Sequence, residues 1–218
     1  MRFRTLTTVL TAGALLFTFG IGDAQAKKNK DKGEEAALVE IEETNTSADE
    51  VFMAAKEIHD SLNDIQTNLK DGTTELSNAL ELAEGTPFAD ALADLQTKAG
   101  DKLTVALDGG KPTFSLADDA PENVKTAVDS LNNFVDYHMT ALDEAKALVP
   151  KAQEVAQKAQ NLDAAGLAGE AASNPLEIGK LAKTIGRNIK AVGQTPKRVE
   201  DTITVLSGDI EAVSALAN

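Results

Sequence analysis

The chain has 218 residues, 35 of them Asp or Glu and 21 Lys or Arg, for a formal net charge of −14. That balance excludes a general nucleic-acid binder, whose phosphate contacts need clustered bases. Cysteine and Trp are absent and aromatics make up 4%, which rules out disulfides and thiolate chemistry and disfavours ligand sites built on stacked rings.

Residues 1–26 predict a cleavable export signal. Arg2 and Arg4 precede an uncharged, mostly apolar run from Leu6 to Ile21, and Ala24-Gln25-Ala26 supplies a small-x-small cleavage pattern. The run falls short of the roughly 20 apolar residues a membrane anchor needs, and Thr11, Gly13, Thr18 and Gly20 interrupt it. No Cys follows it for lipid attachment. The expectation is a periplasmic or extracellular protein that starts near Lys27 and has no transmembrane segment after cleavage. Residues 27–46 predict a disordered charged leader, Lys-rich and then Glu-rich, in which only Leu38-Val39-Glu40-Ile41 could dock.

From Ser47 the pattern turns helical. Ser47 and Glu50 have the spacing of a capping box. Val51, Ala55, Ile58, Leu62, Ile65 and Leu69 then follow at alternating gaps of four and three, the rhythm of a coiled-coil seam. Leu76 and Leu80 keep that register, so one long helix is expected to about Glu84, with Gly72 as an interruption point and Gly85 as its stop. Pro87 restarts a short helix through Phe88, Leu92 and Leu95 to Gly100. Over 103–116, Leu103, Val105, Leu107, Phe114 and Leu116 alternate around Asp108-Gly109-Gly110-Lys111. This is the signature of a hairpin, with an irregular loop as the alternative. Pro112 must then take a strand start or edge.

Pro121 opens a second long seam through Val124, Val128, Leu131, Val135, His138, Leu142, Ala145 and Val149. Pro150 is expected to kink or split it, with Ala152, Ala156 and Ala159 beyond and Gly166 and Gly169 as its close. Asn174 or Ser173 caps a further helix from Pro175 to Gly193, and Thr195-Pro196 opens a last one through Val199, Ile203, Leu206, Ile210 and Val213. Residues 47–218 therefore predict a single mainly-α domain. Its architecture is an elongated antiparallel bundle of four to five long helices, with the hairpin at one end. Seams this narrow also suit packing between subunits.

Chemistry-bearing patterns are sparse. His138 holds a seam position and is the candidate core polar site; His59 sits beside its seam. No Glu-x-x-His or Cys-x-x-Cys-His occurs, and haem at His138 would need Met53 from across the core. No Gly-x-Ser-x-Gly elbow or phosphate loop is present, so no catalytic, metal or cofactor residue is nominated. The unusual stretch is 177–198, without acids between Glu177 and Glu200. Lys180, Lys183, Arg187 and Lys190 recur there at helical spacing, a candidate face for an anionic partner. Gly179, Gly186 and Gly193 recur every seven residues and predict a close helix crossing, with the Ala-rich 141–172 stretch as partner.

The sequence thus points to a non-enzymatic envelope protein acting through its surface, as scaffold, adaptor or chaperone, with a protein partner or self-association. The alternatives are a carrier of a hydrophobic small molecule or lipid and, last, a haem or metal protein centred on His138.

Overall fold

The computed structural model describes residues 40–108 and 111–217. The expected signal peptide, most of the charged leader and the Gly109-Gly110 turn lie outside the described residues. The described chain is mainly α, with five helices and one two-stranded antiparallel hairpin, as the periodicity predicts. Only three of the five helices are long: α1 (Asp49–Ala79), α3 (Glu122–Gln160) and α5 (Pro175–Ser214). At 1.5 Å per residue the last two each span about 60 Å. The connections carry α2 (Phe88–Ala99) with the hairpin β1 (Leu103–Asp108) and β2 (Lys111–Leu116), and then α4 (Ala164–Ala171).

Four local expectations change. Ser47 and Glu50 do not cap α1; Ala48 takes the cap position. Instead the Asp49 carboxylate accepts the Thr44 N–H at 2.9 Å, the Thr44 hydroxyl at 2.6 Å and the Thr46 N–H at 3.3 Å. Burial opposes that negative charge, but the bonds from Thr44, Asn45 and Thr46 outweigh it and hold the Asp49 carboxyl below its ordinary value. Second, α1 runs unbroken through Gly72 and ends at Ala79 rather than Glu84, where Lys98 of α2 donates to the Leu80 carbonyl. Glu81, at φ +60°, turns the chain away.

Third, α5 continues through Gly193 and Pro196, fusing two expected helices. An interior proline costs about 3 kcal/mol through a lost hydrogen bond and ring clash. Val192, Thr195, Val199 and Leu206, all buried, hold the turns on both sides of it. Fourth, α3 likewise passes Pro150 but stops at Gln160, and Gly166 and Gly169 belong to α4. Asn174 caps α5 as predicted, its side chain accepting the Glu177 N–H at 3.0 Å.

Side chains from the N-terminal halves of α1 and α5 share one core cluster with the C-terminal part of α3 and with α4. The far end of α1, the start of α3, α2, Phe114 of β2 and Val213 of α5 share another. α3 is therefore antiparallel to both α1 and α5, and those two run parallel. Between the clusters, Ile65, Ala141, Leu142, Ala145 and Leu206 join the three helices. α3 buries more than its predicted seam: Ala127, Phe134 and Ala141 add a third inward position to each heptad. Gly72 faces this helix, and a β-carbon there would sit 2.7 Å from Phe134 Cδ2.

Two asparagines secure the non-helical segments. Asn132 of α3 accepts the Phe114 N–H and donates to the Phe114 carbonyl, both at 2.9 Å. Asn188 of α5 does the same for Glu42, accepting its N–H at 3.3 Å and donating to its carbonyl at 2.6 Å. Ile41, inside the expected 27–46 leader, is buried in the core.

Two stability predictions follow from this packing. Gly72→Ala should lower the urea midpoint, because overpacking against the buried Phe134 ring costs about 1–3 kcal/mol and exceeds the helix-propensity gain of about 1 kcal/mol. Asn132→Ala should cost about 1–3 kcal/mol by orphaning the Phe114 backbone pair. Hydrogen exchange should then show earlier labelling of β2 while α3 and α5 remain protected.

Candidate functional site

Core packing decides what His138 can do. Its side chain is 1% exposed, on α3. Nδ1 lies 2.9 Å from the Phe134 carbonyl, which can only accept, so Nδ1 carries a hydrogen. Nε2 lies 3.1 Å from Asp209 Oδ2 of α5, and one proton joins that pair. The ring packs on Phe134 with centroids 3.8 Å apart, and Phe88 stacks at 6.4 Å. Both nitrogens are engaged, which leaves no lone pair for a haem iron. Met53, the suggested opposing ligand, packs against the core at the other end of the bundle. Among the described residues no group of three or more His, Asp or Glu side chains is placed to hold a metal ion.

The basic face lies on the N-terminal half of α5. Lys180, Lys183, Arg187 and Lys190 are all exposed. Arg187 pairs with Glu42 at 2.7 Å, while the three lysines have no ion-pair partner among the described residues. Leu176, 70% exposed, falls in the same helical register at the head of this row. The glycine expectation is overturned. Gly179, Gly186 and Gly193 are exposed, and a β-carbon at any of them would meet nothing within 4 Å among the described residues. The close approach expected there occurs at Gly72 instead.

A polar cleft that the sequence reading did not foresee opens between α1 and α5. Its volume is about 330 Å³, and Glu40, Ile41, Lys56, His59, Asp60, Asn63 and Arg198 line it. The four α1 residues follow at gaps of three, one and three, one face of a helix. This polar stripe runs beside the apolar seam and was the available signal. Lys56 pairs with Asp60 at 2.7 Å. His59 is 7% exposed, and its Nε2 lies 3.0 Å from the Thr195 hydroxyl of α5. The Thr195 hydroxyl points its hydrogen at the Ala191 carbonyl at 3.5 Å. Its oxygen is then free to accept from Nε2–H, which assigns Nδ1 as the acceptor nitrogen. Burial, and secondarily the positive charge of Arg198, lowers the His59 pKa from 6.5 to about 4, so the ring is neutral near pH 7. Burial also lowers the Arg198 guanidinium. Asn63 Oδ1 is buried and has no hydrogen-bond partner among the described residues.

No helix among the described residues is long and apolar enough to cross a membrane. No protein-family model matches the chain, nor does any curated protein or solved structure.

The depressed His59 pKa makes stability pH-dependent. The unfolded ring takes up a proton below pH 6.5, the folded ring only below about pH 4. Its contribution is therefore complete above pH 6.5 and lost as pH falls towards 4, on the order of 2 kcal/mol once solvent near the cleft is allowed for. Urea midpoints at these two pH values should differ more in the wild type than in His59→Gln.

Proposed function

We propose that this is an exported, non-enzymatic helical-bundle protein that works through its surface as a scaffold or adaptor. Its docking face is the exposed row Leu176, Lys180, Lys183, Arg187 and Lys190 on α5, and its partner is an acidic protein. The carrying observation is that Lys180, Lys183 and Lys190 stay unpaired among the described residues of a chain with net charge −14. A local positive field on a negative protein orients encounter with an acidic partner and repels wrong faces.

An anionic membrane fits this surface less well. The whole chain is repelled by it, and Leu176 is the one large apolar side chain in the row, against the broad apolar face that interfacial helices bury. The filled core argues against carriage of an apolar ligand. Its three clusters interlock through aliphatic side chains, and the cleft between α1 and α5 is lined by charged and polar groups apart from Ile41.

The decisive variant is Lys180→Glu/Lys183→Glu/Lys190→Glu, whose positions are exposed and leave the core intact. The wild type should bind poly-L-glutamate with a salt-sensitive affinity, and the variant should lose about tenfold or more with unchanged circular dichroism. Equal binding by both proteins overturns the assignment. Binding to phosphatidylglycerol vesicles without binding to poly-L-glutamate would replace the acidic protein with a lipid surface.

A further inference from the structure

The cleft between α1 and α5 holds more unsatisfied polar chemistry than a structural groove needs. Lys56 and Asp60 neutralise one another at 2.7 Å. Of the charged groups lining the cleft, that leaves Arg198 and Glu40, neither with an ion-pair partner among the described residues. Arg198 reaches the cleft half-buried from α5, and its planar guanidinium suits bidentate capture of a carboxylate. The same cleft is lined by Asn63, whose buried Oδ1 has no hydrogen-bond partner among the described residues, and by the neutral His59 ring. A buried acceptor without a partner is destabilising, and a ligand N–H would relieve it.

We propose that this cleft binds a small zwitterion of the α-amino-acid class, with its carboxylate on Arg198 and its ammonium donating to Asn63 and Glu40. The lining discriminates against other chemistries. A phosphate dianion would face Glu40 and Asp60. A polyamine would face Arg198. A divalent cation would find one unpaired carboxylate, and an apolar ligand would find Ile41 alone. A cleft of about 330 Å³ lies at the small end of ligand pockets, a size for a free amino acid or a short peptide end. His59 suits this role because, neutral and held by Thr195, it offers an acceptor without adding positive charge.

The test is calorimetric titration of the full chain, purified after any native processing, with each proteinogenic L-amino acid at millimolar concentration. The decarboxylated amine and deaminated acid of the best binder serve as controls. At least one amino acid should bind, and both controls should bind about tenfold or more weakly. Arg198→Gln should abolish binding. Glu40→Gln, an exposed change that leaves the bundle untouched, should weaken the amino acid and leave the deaminated acid unaffected. A dipeptide that binds better than the free amino acid would assign the site to a peptide end and retain the zwitterion chemistry. No heat with any amino acid, or full affinity in a folded Arg198→Gln protein, overturns the proposal.

Discussion

Everything in this bundle depends on α3 having two neighbours. A helix that meets one partner needs two inward positions per heptad. One that meets α1 and α5 together needs a wider apolar face. Ala127, Phe134 and Ala141 supply it, each one residue before the predicted seam residues Val128, Val135 and Leu142. The small alanines let the flanking helices come close, and Phe134 fills the space opposite Gly72. That glycine has a steric reason that Gly179, Gly186 and Gly193, open to solvent, lack.

Antiparallel packing of α1 and α5 on α3 leaves those two parallel to each other and less fully joined. Water-compatible side chains occupy the gap beside the N-terminal half of α1 and the middle of α5, where His59 meets Thr195 and Arg198 has no ion-pair partner among the described residues. The other polar device is buried. His138 links α3 to Asp209 of α5 inside an aromatic stack with Phe134 and Phe88. Satisfied on both nitrogens, it fixes the relative register of two long helices. The histidines therefore differ in kind: His138 has both nitrogens bonded within the bundle, and His59 has one bonded while its ring borders the cleft.

Non-helical backbone is attached by side chains that imitate a neighbouring strand. Asn132 and Asn188 each present an amide to one residue of extended chain, taking its N–H and its carbonyl together. The two clamps act at opposite ends of the bundle, and without them those backbone groups would need other partners. A two-stranded hairpin is marginal in water. β2 persists because Phe114 enters the core while Asn132 satisfies its open edge.

Apolar spacing determined the helical class and the inward place of His138 and favoured the hairpin between Leu103 and Leu116, while cap chemistry before Pro175 narrowed the helix start to Asn174 or Ser173, because each is a local or periodic property of the chain. The break expected at Gly193-Thr195-Pro196 does not form. Local propensity marks a helix end there, and burial of Val192, Thr195 and Val199 outweighs it. Ser47 likewise has cap chemistry, yet Asp49 takes the Thr44 and Thr46 bonds once Ile41 anchors the preceding chain. Of the cleft, the sequence carried the α1 stripe Lys56, His59, Asp60 and Asn63. Only tertiary structure could set Arg198 and Glu40 against it, since they lie far away in the chain or in a leader with no period of its own. Periodicity reports which face of a helix turns inward; which residues meet across the gap depends on how three helices share one core.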